Sequence, residues 1–204
     1  MGVPTFYTRL LEQSELNRAS VAHMRVFICG SAPLTEQTFG AWEQRTGHRI
    51  LERYGMSETI INTSNPLAGE RIAGTVGFAL PGQQVRVADE DGKAVPAGEV
   101  GMIEVSGPNV FQGYWRMPEK TAEEVRPDGF FITGDLGTQD AQGRLSIVGR
   151  SKDLVISGGY NVYPKEVEVA LDDLPQINES AVIGLPHRDF GEAVVAVVVP
   201  SAGQ

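Results

Sequence analysis

The order of the first regular segments constrains the fold most. Arg25-Val26-Phe27-Ile28-Cys29 is an apolar run that reads as a buried strand. Gly30-Ser31-Ala32-Pro33-Leu34 is a turn of small residues, and Thr35 is a helix N-cap ahead of an apolar stripe from Phe39 and Trp42. Gly47 ends that helix, and Arg49 to Tyr54 returns as a strand. Strand, helix, strand in this order predicts a crossover unit with two parallel strands, the seed of an α/β sheet. Ahead of it, Thr5 to Leu16 reads as a short helix behind Pro4, with Phe6, Leu10 and Leu11 on one face.

From about residue 72 the texture changes, with glycine and proline becoming frequent. Gln84 to Ala88 and Val100 to Ser106 alternate at period two, with the turn Asp89-Glu90-Asp91-Gly92 between them. This predicts a small antiparallel barrel or sheet. Leu145 to Gly149 and Leu154 to Ser157 are further strands. Pro164 fits the first turn of a helix that continues through Leu171. Ile177 to Gly184 and Ala193 to Val199 are apolar, β-branched strands. The pattern after residue 150 predicts a second, small α+β module.

The charge balance removes some function classes. Lys and Arg total 17 against 26 Asp and Glu, for a net charge of −9, and no basic run stands out. A nucleic-acid partner is therefore not expected. An anionic ligand would need backbone amides, a local cation or a metal. The single cysteine, Cys29, rules out an intrachain disulfide framework and suits a reducing, cytoplasmic setting. Its place in an apolar run predicts a core thiol. No apolar stretch approaches ~20 residues, so no membrane span is expected. The N-terminal residues lack a secretory pattern. His23, His48 and His187 are scattered without metal-ligand spacing.

Three polar segments carry candidate chemistry. Tyr54-Gly55-Met56-Ser57-Glu58-Thr59 follows a strand, where an α/β sheet presents its ligands. Its aromatic can cover a purine, its carboxylate can hold Mg²⁺, and its hydroxyl can reach a phosphate oxygen. In Gly129-Phe130-Phe131-Ile132-Thr133-Gly134-Asp135, the aspartate of a strand-end turn can accept from ribose hydroxyls. In Gly149-Arg150-Ser151-Lys152-Asp153 and the following Ser157-Gly158-Gly159-Tyr160, an arginine can donate to phosphate or ribose, and a glycine pair admits close approach of a ligand. Taken singly, each is equally what an ordinary polar turn, surface charge or hairpin would show.

Taken in order, these segments resemble the ANL superfamily of adenylate-forming enzymes, which includes acyl-CoA synthetases. The motifs are Gly-Ser-Ala-Pro-Leu at 30–34, Tyr-Gly-Met-Ser-Glu-Thr at 54–59, Thr-Gly-Asp at 133–135, and Gly-Arg-Ser-Lys-Asp through Tyr-Pro-Lys-Glu-Val-Glu at 149–168. Gly107-Pro108-Asn109-Val110-Phe111-Gln112-Gly113-Tyr114-Trp115 looks like the family's connecting segment. The resemblance covers essentially the whole chain.

The resemblance implies an ANL fold: the end of a large α/β domain with a small antiparallel β-barrel over residues 1–150, then the start of a small mobile α+β domain over 151–204. It implies ATP, coenzyme A and a short carboxylate as substrates, with Mg²⁺. Tyr54 with Gly55 and Met56 would take adenine against Gly30, Ser31 and Ala32. Glu58 would hold Mg²⁺ and Thr59 the α-phosphate, as the catalytic pair. Asp135 would bind the ribose hydroxyls beside Arg150. Lys152 matches the hinge, and Gly158, Gly159 and Tyr160 would border the pantetheine tunnel.

Within the family, Gly2-Val3-Pro4-Thr5-Phe6-Tyr7, Glu52-Arg53-Tyr54-Gly55-Met56 and Asn62-Thr63-Ser64-Asn65-Pro66 resemble the malonyl-CoA synthetases. A dicarboxylate needs a donor for its second carboxylate, for which Arg53, Ser31 and the polar Asn62–Asn65 loop are candidates. For Arg53 the competing reading is a structural ion pair with a nearby acid. The same motifs would also suit another short carboxylate or an aryl carboxylate as substrate, or a nucleotide-binding module without catalysis. The family's phosphate-binding loop and its C-terminal catalytic lysine have no counterpart in this sequence. The chain is thus expected to be the middle and late part of a longer enzyme, with exposed strand edges that invite self-association. On its own it is predicted to have little or no ligase activity. ATP-dependent malonyl-CoA formation by the purified chain would refute that.

Overall fold

A computed structural model describes residues 1–201. Helix α1 (Pro4–Leu11) begins as expected, with proline in its first turn, but ends before Leu16. Arg45 explains the early stop: its guanidinium donates to the carbonyls of Leu11, Gln13 and Leu16, so these groups find partners outside a helix. The buried residue of α1 is Tyr7, while Phe6 and Leu10 stay exposed. Tyr7 meets Trp42 edge-on at 4.9 Å and donates its hydroxyl to the Ile28 carbonyl at 2.6 Å.

Strand β1 (Ile28–Cys29), helix α2 (Glu36–Thr46) and strand β2 (Leu51–Tyr54) form the expected crossover. β1 and β2 are parallel, with Ile28 opposite Leu51 and Cys29 opposite Glu52. The Thr35 hydroxyl accepts from the Thr38 N–H, and Gly47 closes α2 at φ 74°. Trp42 and Phe39 face inward onto a core with Cys29, Leu34 and Ile50. Two short strands that the sequence did not signal, β3 (Thr63–Ser64) and β4 (Phe78–Ala79), continue this sheet in antiparallel sense, giving the order β1-β2-β3-β4.

The second sheet has the order β5 (Gln84–Ala88), β6 (Gly101–Ser106), β7 (Phe131–Gln139), β8 (Leu145–Arg150). Helix α3 (Pro118–Glu124) lies between β6 and β7 in the chain. Two expectations need correction. The sheet does not close into a barrel, since four strands are too few to wrap a core at normal tilt. The Thr133-Gly134-Asp135 run is not a strand-end turn but lies within β7, with Gly134 at φ 77°. Buried Glu104 on β6 is bridged by Arg86 at 2.7 Å and Arg126 at 2.9 Å.

The chain divides into two units, one of Met1–Thr133 with Gly137–Ile147, the other of Gly134–Leu136 with the residues from Val148 onward. The second contains a 3₁₀ turn at Ser151–Asp153, then β9 (Val155–Ser157), β10 (Tyr160–Val162), helix α4 (Pro164–Asp172), β11 (Ile177–His187) and β12 (Gly191–Pro200). Its sheet order is β10-β9-β12-β11. Gly158 and Gly159, at φ 59° and 85°, make the two-residue turn between β9 and β10, where both residues must be left-handed. α4 is tied to β11 by the Ser180 hydroxyl on Asp172 at 2.7 Å and the Val182 N–H on Glu168 at 3.0 Å.

Glu52 is 6% exposed, and its Oε1 has no protein partner. Burial pushes its carboxyl up to about 8, against a bond from the Leu34 backbone, with Glu36 adding to the rise. Burial, then Glu52, pushes the Cys29 thiol up to about 11, consistent with an inert core residue. The folded chain therefore keeps a proton on Glu52 that the unfolded chain releases near the ordinary 4.5. The stability this provides is full below that ordinary value and is lost as pH rises toward about 8. Glu52→Gln should flatten this decline, removing a fall on the order of 3–5 kcal/mol. Urea unfolding at acid and mildly alkaline pH measures it, and an unchanged pH slope in the variant would contradict the assignment.

Candidate active site

The loop after β2 is set by one close approach. A Cβ on Gly55 would lie 2.0 Å from the Ile60 carbonyl oxygen, so any side chain there is excluded. The backbone folds back at once: Thr59 and Ile60 donate to the Met56 carbonyl, and Asn62 donates to the Tyr54 carbonyl at 2.8 Å. Ile60 takes a left-handed φ of 59° to complete the turn. Thr59 is fully enclosed, and its hydroxyl has no protein partner. Tyr54 is 7% exposed and packs with Val87, Ile103, Val105 and Leu145, so a ligand would meet a small part of its ring.

The 107–115 segment grips this loop. Asn109 Nδ2 donates to the Thr59 carbonyl at 2.7 Å and to Asn62 Oδ1 at 3.2 Å. The Phe111 N–H donates to the Glu58 carbonyl at 2.8 Å, and the Tyr114 hydroxyl to Glu58 Oε1 at 3.3 Å. Sequence reasoning gave these residues no site role. The partners of these bonds are about 50 positions apart in the chain, and no local pattern announces them.

Gly30, Ser31 and Arg53 meet in a recess of about 190 Å³, completed by Met1, Gly2, Val3 and Phe6. Gly30 allows the approach, since a Cβ there would lie 3.1 Å from the Arg53 carbonyl oxygen. Ser31 is left-handed at φ 71°, a strained setting for serine. Arg53 Nε is buried without a protein partner, while its Nη2 contacts Met1 Sδ. Among the described residues Arg53 makes no ion pair, so a structural pairing with an acid has no support here. Ala32 is exposed beside Ser31.

In the second unit, Arg150 Nε lies 3.5 Å from Asp135 Oδ1, and the Ser151 hydroxyl donates to the Gly134 carbonyl at 3.1 Å. Arg150 is 62% exposed there, so the ion pair alone adds little stability and leaves the guanidinium open to a ligand. Lys152 stands exposed in the 3₁₀ turn. Gly158, Gly159 and Tyr160 form the exposed tip of the β9–β10 hairpin, held by Gly158 N–H on the Phe190 carbonyl at 2.9 Å. The structure thus gathers the predicted residues into sets: Gly30, Ser31 and Arg53; Tyr54 through Thr59; Asp135 with Arg150; and the hairpin tip.

Gly55→Ala tests the loop. The added methyl must displace the Ile60 backbone, which should cost about 1–3 kcal/mol in urea unfolding and alter the environment of Tyr54. A variant as stable as the parent, with unchanged near-ultraviolet circular dichroism, would show that the loop has room.

The family model described as AMP-binding enzyme matches residues 1–115, and that described as AMP-binding enzyme C-terminal domain matches residues 166–204. A probable CoA ligase of Humulus lupulus is 45% identical over 98% of this chain and 35% of its own length. Malonate–CoA ligase of Arabidopsis thaliana is 41% identical over 97% of this chain and 34% of its own length. The crystal structure of ATP-bound MatB from Rhodopseudomonas palustris superposes with a TM-score of 0.98 at 62% identity, over 100% of this chain and 41% of that one. Further relatives are named long-chain-fatty-acid–CoA ligase (Yersinia pestis, 38% identical) and feruloyl-CoA synthase (Amycolatopsis, 40% identical). The chain spans about a third of the length of the curated relatives it matches. These matches and the ordered motifs agree: the chain belongs to the AMP-binding enzyme family of the adenylate-forming superfamily, whose relatives here are named as CoA ligases.

Proposed function

We propose that this chain forms part of an AMP-forming acyl-CoA synthetase acting on malonate or a similar short dicarboxylate. The observation that carries the reading is the orphaned Nε of Arg53, buried beside strained Ser31 in a recess of about 190 Å³. A buried donor without a partner is costly, and an incoming carboxylate supplies the charge-assisted bond it lacks. A long acyl chain would need an apolar tunnel instead. The name of the Arabidopsis relative points the same way, while those of other relatives keep an aryl or longer acid as the competing reading.

The remaining residues take roles their chemistry allows. The 54–56 turn and Gly30, Ser31 and Ala32 would border the adenine. Asp135 would accept from the ribose hydroxyls, with Arg150 beside it donating to ribose or phosphate. Glu58 fits a site completed by phosphate oxygens and Mg²⁺, because this ion is often held by one carboxylate plus phosphates rather than by a protein cage, and the enclosed Thr59 hydroxyl would meet the α-phosphate once the loop shifts. Bound there, Mg²⁺ would draw charge from the phosphate oxygens and ease approach of a second anion. In the reaction a carboxylate oxygen attacks the α-phosphorus and the bond to pyrophosphate breaks. The thiolate sulfur of coenzyme A then attacks the acyl carbonyl, and AMP leaves. Residues 1–150 would belong to the large AMP-binding domain and 151–204 to the mobile one, turning about Lys152, with Gly158, Gly159 and Tyr160 along the pantetheine path. A reducing cytoplasmic setting suits the buried free thiol. Among the described residues no helix is long and apolar enough to cross a membrane.

Calorimetric titration of the chain with AMP and with non-hydrolysable malonyl- and acetyl-adenylate mimics, Mg²⁺ present, tests this reading. Asp135→Ala should abolish binding of all three. Arg53→Met should weaken the malonyl mimic roughly 10- to 100-fold and leave AMP and the acetyl mimic unchanged. Equal losses for both acyl mimics would overturn the dicarboxylate assignment.

A further inference from the structure

One phenol ties helix α3 to the candidate nucleotide loop. The Tyr114 hydroxyl lies 2.7 Å from Glu124 Oε2 and 3.3 Å from Glu58 Oε1. Glu124 is paired in turn with Lys120 one helical turn earlier, and the Lys120 ammonium also lies 5.3 Å from the Tyr114 ring centroid. Phe111 packs edge-on against that ring at 4.8 Å, and the Tyr114 backbone N–H is held by the Thr121 hydroxyl at 2.9 Å. The ring is therefore fixed on both sides. A phenol has one proton to donate, so the two carboxylates compete for it, and the nearer is Glu124. Burial, followed by the two acids, raises the phenol above its ordinary value, and the hydroxyl remains a donor near neutral pH. Lys120 and Tyr114 together outweigh burial and hold Glu124 below its ordinary value, so it stays an acceptor.

We infer that Tyr114 is a positioning residue that aims the Glu58 carboxylate, anchoring it to α3 through Glu124 and Lys120. This rests on the reading of Glu58 as the cation-holding carboxylate. The division of labour follows from the distances. The backbone of Glu58 is set by the Phe111 N–H, while its side chain is steered by a long, weak bond from Tyr114. The phenol proton stays on Tyr114 and lies nearer Glu124, so the longer bond to Glu58 leaves most of that carboxylate's charge for a cation. Glu58 is then oriented without giving up its charge.

The test uses the chain carrying ¹³C at the ζ carbon of its five tyrosines, with Tyr114→Phe assigning the signal. Glu58→Gln and Glu124→Gln should each shift the Tyr114 signal and leave the others in place. No shift on Glu58→Gln would overturn the tether. The second arm is the gain in ATP affinity on adding Mn²⁺. Glu58→Gln should remove that gain. Tyr114→Phe should reduce it roughly 3- to 10-fold, with metal-free ATP affinity changed about twofold or less. Equal loss with and without metal would make Tyr114 merely structural and overturn the inference. A gain that survives Glu58→Gln, or no gain in the unsubstituted chain, would remove the Glu58 assignment and the inference with it, whatever the tyrosine signal does.

Discussion

The 2.0 Å separation between the Ile60 carbonyl oxygen and the place a Cβ on Gly55 would occupy is the constraint on which the first unit's site depends. It makes the chain reverse immediately after β2. That reversal puts Glu58 where the 107–115 segment can reach it, and it brings Asn62 back to pair with the Tyr54 carbonyl. β2 is itself fixed on both sides, by parallel β1 and antiparallel β3. The strand therefore delivers Arg53 to the recess with Gly30 and Ser31, and Tyr54 to the core beneath the second sheet. Alternation along one short strand separates the residue that faces the recess from the residue that anchors the loop.

The charges near this strand are arranged against the chain's acidic balance. Glu52 is buried and held toward its neutral form, so it does not repel an anionic ligand from inside the sheet. Arg53, its neighbour, is left without an acid partner among the described residues. Several other arginines are used structurally: Arg45 caps the chain after α1, and Arg86 and Arg126 neutralise buried Glu104. Net charge is thus a poor guide to whether an acidic protein binds anions, because what matters is which cations remain free of protein partners.

Much of this was legible in sequence where the signal was local. The crossover from Arg25 to Tyr54, the Thr35 cap, the Gly47 stop and the Pro164 helix start each follow from a few adjacent residues. The failures were non-local. α1 stops at Leu11 because of a guanidinium more than 30 positions away. β7 runs through Gly134, a residue that punctuates most patterns as a turn, because neighbouring strands carry it. α3 buries no residue fully, so it has no apolar stripe to detect, and β3 and β4 are too short for a period. The candidate site residues were found through motif order rather than periodicity. The grip of Asn109, Phe111 and Tyr114 on the loop stayed invisible because it exists only once distant segments meet.

Under the proposed function, the turns at 30–34 and 54–59 receive an adenine nucleotide. Photo-cross-linking of the chain with an ATP analogue carrying an azide on its purine ring, followed by peptide mapping, tests it most directly. Labelling is expected in peptides containing residues 30–34 or 54–59, suppressed by excess AMP. Labelling that AMP does not suppress, or that falls elsewhere in the first unit, would contradict the claim.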